Sequence, residues 1–473
     1  MNLIKIITLF LSMSSLQLSG QRNIAGLWEG VIHVGVDLQM VFHINQSGLT
    51  YTALLDVPGQ GAKDIVVAVT QQKDSIIMLI AQIGGSYKGY IQSDSSITGS
   101  WYQGRAFPLN LHKVKEITVP KRPQTPKPPF HYQNADVVYY NSDSSIHYGA
   151  TISTPTGKGP FPAVLLITGS GQQNRDEEML QHRPFAVIAD HLARNGYIVM
   201  RVDDRGMGET NGDVMNATSR DFANDAEISL DFLRKLQSVD HRKIGLLGHS
   251  EGGMIAQIIA AERKDIDFVI FLAGPGEKTL TLMEDQNRAI LLKAGLSATY
   301  IDHYLELYRS LIPAIISAST LADAKKAATN MVANWTAKTD KNIVTATTHI
   351  TNDSTLHAFA DGFTTVVYNP WFKYFFSYDP DVTLRKLRSK VLALNGDQDI
   401  QVIAKTNLKA METSLKKGSS KDITIRELNG LSHLFQHCHL CTVYEYGQLE
   451  ETMAPEVLSI ITSWLNTHVK ISK

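Results

Sequence analysis

Lys243-Ile244-Gly245-Leu246-Leu247-Gly248-His249-Ser250-Glu251-Gly252-Gly253-Met254-Ile255-Ala256 decides the fold. The apolar run Ile244–Leu247 has the length of a buried strand, and Met254–Glu262 reads as a helix. A serine between such elements sits on a tight turn with strained backbone, so its flanking positions must lack bulk. The same turn brings the N–H of Glu251 to a helix N-terminus, where it can donate to an oxyanion. By composition a bare G-x-S-x-G is expected roughly 0.2 times in a chain of this length, so the strand before and the helix after carry the specificity.

Working outward, a serine hydroxyl needs an adjacent base. His433, in Asn429-Gly430-Leu431-Ser432-His433-Leu434-Phe435, follows the strand-like Ile423–Leu428 and precedes a closing helix at about Pro455–His468. His437 and His439 are its competitors. The imidazole in turn needs a carboxylate to fix its tautomer. Val391–Leu394 leads into Asn395-Gly396-Asp397-Gln398-Asp399; Asp399 is the expected partner, and Asp397, nearer the strand end, is expected on backbone amides. The order Ser250, Asp399, His433 is that of neither chymotrypsin nor subtilisin. The second oxyanion donor is expected after Val164–Ile167, at the Ser170 N–H in Thr168-Gly169-Ser170-Gly171, where Gly169 and Gly171 allow a substrate close to the backbone. Arg175 and Asp176 either orient substrate or brace this loop, with bracing the preferred reading.

The texture around these motifs alternates strand-like runs with helix-length amphipathic stretches from about residue 135, which predicts a parallel sheet covered on both faces. It lapses at about 277–378, where a helical block reads as a lid; Pro313 is expected to end or kink the helix Tyr300–Leu311. Aromatic residues from Tyr368 to Tyr378 either line an acyl pocket or pack the lid, with packing preferred. Residues 21–115 read as a small all-β domain, an accessory module in preference to a ligand-binding barrel. Five prolines between Pro120 and Pro129 make 116–134 a linker. Residues 1–20 carry Lys5, a short apolar core and a small-residue end, the pattern of a signal peptide, so an exported protein is expected.

These motifs resemble the α/β-hydrolase superfamily, and more narrowly the secreted bacterial esterases of the esterase D type, near the serine-aminopeptidase-like hydrolases. The resemblance rests on Ile167-Thr168-Gly169-Ser170-Gly171 with Asn174-Arg175-Asp176-Glu177, Asp203-Asp204-Arg205-Gly206-Met207-Gly208, Gly248–Gly253, Asn395–Asp399 and Ser432–Gln436, in order over the C-terminal two-thirds. It implies an α/β-hydrolase domain over 135–473 and ester hydrolysis by a Ser250–Asp399–His433 triad, with no metal or organic cofactor. Thr168 departs from the superfamily, where many relatives carry histidine. Asp204 and Arg205 are expected to form a salt-linked turn beneath the nucleophile. A peptidase on the same triad is the alternative, and it would need lid acids such as Glu277, Glu284 or Asp285 to hold a substrate ammonium group. A non-catalytic binding protein is the reading from another class, and the complete triad argues against it.

The remaining composition mostly excludes. Net charge is −1, with 45 basic against 46 acidic side chains, which leaves no footprint for nucleic acid. After the leader, no stretch is apolar enough to span a membrane. Two cysteines in His437-Cys438-His439-Leu440-Cys441 lack the second ligand pair of a zinc site. Free thiols are the preferred reading over a local disulfide. The expected partner is a small-molecule ester; the sequence leaves the oligomeric state open.

Overall fold

The computed structural model describes residues 22–33, 37–48, 50–117 and 120–469, and the expected leader lies outside them. The chain divides into two compact units, residues 1–119 and 120–473.

The first unit is an antiparallel barrel of β1 (Gly26–His33), β2 (Asp37–Ser47), β3 (Thr50–Val57), β4 (Ala62–Gln72), β5 (Ser75–Ile80), β6 (Gly85–Ser93), β7 (Ser96–Gln103), β8 (Arg105–Pro108) and β9 (Leu111–Val114). Each strand from β1 to β7 pairs with the next, and β9 joins β7 back to β1, closing a ring of eight. A ring of that size leaves an interior that side chains alone can fill. Trp28, Phe42, Tyr87 and Trp101, each 1% exposed or less, fill it.

In the second unit β10 (Tyr132–Tyr140) and β11 (His147–Pro155) form an antiparallel hairpin. It continues into β12 (Phe161–Ile167), β13 (Ile198–Val202), β14 (Val239–His249), β15 (Phe268–Leu272), β16 (Lys390–Gly396) and β17 (Ile423–Leu428), in the spatial order β10-β11-β13-β12-β14-β15-β16-β17. From β13 onward every pairing is parallel. Strands β12, β15 and β16, and the Ile244–Gly248 half of β14, are apolar nearly throughout because both sheet faces are covered there. On one face lie α1 (Pro184–Arg194) and α12 (Pro455–His468); on the other, α2 (Ser219–Arg234) and α3 (Glu251–Glu262). Helix α2 starts at a Thr218–Asp221 capping box, and α1 has Pro184 in its first turn, both orthodox helix starts.

Between β15 and β16 the chain forms a helical block: α4 (Thr279–Lys293), α5 (Ala298–Ile316), α6 (Leu321–Lys338), α7 (Lys341–Thr348), α8 (Asp353–Val367), α9 (Pro370–Ser377) and α10 (Pro380–Leu384). Helix α11 (Ala404–Lys416) then connects β16 to β17. Pro313 does not end α5, which continues to Ile316. So near the C-terminus, proline removes one backbone hydrogen bond without breaking the last turn.

The proline-rich segment also differs from a free linker. From Pro120 it packs on the second unit, where the Arg122 guanidinium donates to the carbonyls of Leu180, Gly447 and Leu449. Gln124 exchanges hydrogen bonds with Thr452 and Met453, and strand β10 already begins at Tyr132. Prolines leave carbonyls and neighbouring side chains free to bond even where no helix or ladder can form, which composition does not reveal.

The same 446–453 loop is pinned by His182, buried, with one ring nitrogen on the Tyr446 carbonyl and the other on the Thr452 hydroxyl. Burial, helped by the Arg122 charge, lowers its pKa from 6.5 to about 4. A histidine depressed on folding favours the unfolded chain once protonated. Its stabilising contribution is therefore lost as pH falls from about 6.5 through about 4. Thermal unfolding across that window should lose on the order of 1–3 kcal/mol from this group, and His182→Gln should flatten that part of the slope.

Candidate active site

Strand β14 runs straight into α3, and Ser250 at the junction has φ 53° and ψ −120°, a conformation costly for any residue with a side chain. The surroundings hold it there. The Ser250 N–H donates to the Leu272 carbonyl at 2.9 Å, and the Gly253 N–H returns to the Ser250 carbonyl at 2.9 Å. The three glycines are there for space. A Cβ on Gly248 would stand 2.1 Å from the Gly252 carbonyl oxygen, one on Gly252 2.1 Å from that of Ile167, and one on Gly253 2.8 Å from the Gly274 Cα. Because Glu251 opens α3, its N–H has no partner within the helix.

Asp399 and His433 lie just past the ends of β16 and β17. His433 Nδ1 sits 2.7 Å from Asp399 Oδ2, and both side chains are buried. The other Asp399 oxygen accepts the N–H groups of Gln401 and Val402, at 2.7 and 2.9 Å. With Nδ1 donating to the carboxylate, Nε2 is left as the basic nitrogen. Asp397 instead accepts the Gly430 N–H at 2.7 Å. His437 is held between Glu451 and Glu456, and neither it nor His439 lines the cavity that Ser250 and His433 share.

That cavity has about 270 Å³ and is walled by Gly169, Ser170, Ser250, Glu251 and His433 at the sheet end. Leu282, Met283, Trp371, Phe372 and Phe375 from the helical block close its other side. Three of the aromatics for which packing was the preferred reading over lining a pocket, Trp371, Phe372 and Phe375, therefore face the cavity. Phe376 and Tyr378 are buried, with the Tyr378 hydroxyl donating to Gln257.

The loop after β12 splits its expected residues. Gly169 approaches Ser250 so closely that a Cβ there would lie 3.3 Å from that of Ser250. Gly171, at φ 93°, makes the turn and faces a separate cavity of about 60 Å³ beside Thr168 and Asp204, so it is not a cavity-wall residue of the Ser250 site. Arg175 does not line the Ser250 cavity; its guanidinium is shared by Asp203, Glu209 and Asp136, which makes it a brace of the loop. Asp176 pairs with Arg201. Asp204 and Arg205 are not linked to each other. Arg205 binds Asp225, while Asp204 accepts the Thr168 hydroxyl at 2.6 Å and the Gln173 N–H at 2.9 Å. Thr168 thus ties the loop to Asp204 through its hydroxyl.

Two buried carboxylates whose roles sequence reasoning missed tie the site together. One Glu177 oxygen lies 2.8 Å from the Gly169 N–H and 3.0 Å from His249 Nδ1, while His249 Nε2 faces the His433 carbonyl at 3.1 Å. Burial alone would lower the His249 pKa, but the Glu177 charge and these acceptors raise it overall, so both ring nitrogens keep partners when protonated. One Glu251 oxygen accepts from the Ser219 hydroxyl at 2.6 Å and the Trp371 indole at 2.7 Å, and burial raises its pKa. Its side chain thereby joins the elbow to the helical block. Position x of the motif tolerates many residues, so only the folded neighbours reveal these partners.

Cys438 and Cys441 form a disulfide, against the preference for free thiols. The bridge closes a tight turn in which the Glu445 carboxylate accepts the N–H groups of His439, Leu440 and Cys441 at 2.7–3.0 Å. That turn brings the two sulfurs together, a proximity that spacing alone left open. With both sulfurs in the bridge, the pair offers a metal no thiolate.

An eight-stranded sheet in this order, with a serine elbow after its fifth strand and an acid–histidine pair after the seventh and eighth, is the α/β-hydrolase architecture. The second unit has that fold. The family described as serine aminopeptidase, S33 (Hydrolase_4), matches residues 182–358, a span that includes Ser250 but neither Asp399 nor His433. Esterase EstD of Thermotoga maritima is 35% identical over 135 residues, 28% of this chain and 32% of that protein, so the chain spans about a third of its relative's length. Among solved structures, the Pyrococcus furiosus esterase Pf2001 is similar with a TM-score of 0.43, at 14% identity, over 76% of this chain and 99% of that one. The α/β hydrolase GrgF from Penicillium sp. sh18 gives a TM-score of 0.42 at 15% identity, over 72% and 100%.

Two consequences can be measured. Gly252→Ala pushes a methyl group into two backbone carbonyls, those of Ile167 and Thr168. Melting should show a loss at or above the roughly 1–3 kcal/mol of ordinary overpacking. Asp204 is partly buried, and desolvation raises its pKa to about 7 despite the Thr168 and Gln173 donors. A carboxyl raised on folding stabilises fully below its unfolded value, and that contribution is lost as pH rises through about 7. Asp204→Asn should therefore gain on the order of 1 kcal/mol relative to wild type between pH 5 and pH 8, read from paired unfolding curves.

Proposed function

We propose that the chain is a serine carboxylic-ester hydrolase working through a two-step acyl-enzyme mechanism. The observation carrying this reading is that the elbow serine and the Asp399-held imidazole open into one cavity. His433 takes the Ser250 proton as Oγ attacks the acyl carbon. The N–H groups of Ser170 and Glu251 receive the oxyanion, each supporting turnover by on the order of 10²–10³. The imidazolium then protonates the leaving alcohol, and water, activated by the same base, releases the acid and restores Ser250. Asp399 holds His433 in its tautomer throughout. Catalysis on this scheme needs no metal or organic cofactor.

The esterase relative supports ester over amide substrates, and so does the cavity wall. Its carboxylates are Glu177 and Glu251, both committed to protein donors. Of the lid acids a peptidase would recruit, Glu284 is paired with Arg309, and Glu277 and Asp285 sit by Asn407 and Thr406, outside the cavity wall. An α-amino group entering the cavity would find no available counter-charge among the described residues. The serine-aminopeptidase family match keeps the peptidase as a second reading.

In this reading the helical block at about 277–378 is the lid, and the barrel is an accessory module. The protein is exported once residues 1–20 are cleaved. The Cys438–Cys441 bridge supports export, since disulfides persist in oxidising compartments.

The test pairs p-nitrophenyl esters with aminoacyl p-nitroanilides, using residues 21–473. Ester kcat/KM should exceed anilide kcat/KM, and Ser250→Ala should lower it by on the order of 10⁴ or more. Anilide cleavage equal to ester cleavage would move the assignment to a peptidase. Full activity in Ser250→Ala would end the scheme.

A further inference from the structure

The helical block holds a second apolar space that the catalytic cavity leaves unused. It is a groove of about 460 Å³ between α4, α5, α8 and α9. Tyr304, Tyr308, Phe359, Phe363 and Phe376 contribute to its walls, and no Lys, Arg, Asp or Glu lines it. A charged or phosphate-bearing occupant would find no ion-pair partner among the residues that line it.

Two residues, Met283 and Phe372, line both this groove and the cavity of Ser250. They are the common wall of the two spaces, and both are only half-buried. Met283 is unbranched with three rotatable bonds, the side chain that most readily reshapes around an apolar guest. A glycine lies along the groove as well. Gly362 is within α8, where glycine costs roughly 0.8–1 kcal/mol relative to alanine. Neither a left-handed backbone nor crowding accounts for it, because a Cβ there meets nothing within 4 Å. What the missing side chain does is leave the groove open.

Resting on the acyl-transfer reading above, we propose that the groove is the distal acyl subsite. The hydrocarbon chain of an acyl group at Ser250 passes between Met283 and Phe372 and lies along Gly362. The substrates are thereby esters of medium- and long-chain fatty acids. Each methylene buried in the groove should raise kcat/KM up to about fourfold.

Filling the groove far from the triad tests this. Wild type, Gly362→Ala and Gly362→Trp are compared on p-nitrophenyl butyrate and laurate, with Val366→Trp, at another exposed groove position, as a second block. Wild type should favour laurate at least tenfold. Gly362→Trp should lose that preference, with butyrate turnover within twofold of wild type and Gly362→Ala unchanged. A butyrate optimum in wild type, or equal effects of the block on both esters, overturns the subsite. So does a block that alters only sedimentation, which would make the groove a self-association face.

Binding of cis-parinaric acid to Ser250→Ala protein gives a readout without turnover. Bound fluorescence that Gly362→Trp abolishes supports the groove even if every ester is refused, and that combination would sink the esterase reading alone. No parinarate binding overturns the groove while leaving butyrate hydrolysis to speak for the enzyme.

Discussion

The second unit depends on one close approach, that of Gly252 to the carbonyls of Ile167 and Thr168. With no side chain at this position, the start of α3 lies against the end of β12. The Ser250 turn and the Thr168–Gly171 loop then meet at backbone distance. Ser250 remains at its strained φ because the Leu272 carbonyl holds its N–H and the Gly253 N–H holds its carbonyl. The strain is local and the constraints are spread over β12, β14, β15 and α3, so the site is stiff where the chemistry would need it stiff.

Around that contact, buried carboxylates work as fasteners. Burial of a charge is costly unless donors surround it. Glu177 has the Gly169 N–H and His249; Glu251 has Ser219 and Trp371; Asp203 has Arg175 and the Glu209 N–H. Each carboxylate joins segments distant in sequence. Glu251 is the most telling, because as the residue after Ser250 it fastens α9 of the helical block to the start of α3. Positions of the aromatic wall and of the elbow are thus coupled through one side chain, and a displacement of α9 would be felt at Ser250.

The apolar surface then sorts by layer. Uninterrupted hydrophobic strands lie at the centre of the sheet, while the helical block keeps a surplus of aromatic side chains that its own packing does not use up. Trp371, Phe372 and Phe375 spend that surplus on the cavity, and Phe359 and Phe363 spend it on the groove beside it. The barrel differs in this respect, since its large side chains turn inward and fill its own interior.

By itself the sequence determined the order of elements and the residues at their ends. An uninterrupted apolar run predicts a strand covered on both faces, and a serine among glycines after such a run predicts the elbow; both rules are local, and β14 and α3 follow them. The positions of Asp399 and His433 were legible for the same reason, since each lies just past a strand that its own composition reveals. What only the tertiary structure decided are the pairings across the chain. Among these are His249 with Glu177, Trp371 with Glu251, Arg175 with Asp203, Gly171 on the far side of its loop, the disulfide, and the docking of Pro120–Pro129. Each depends on which segments the sheet brings together, and hydrogen bonds and ion pairs act over a few ångströms of space whatever their separation along the chain. A linear pattern records burial and turn chemistry, but it carries no record of who lies opposite whom.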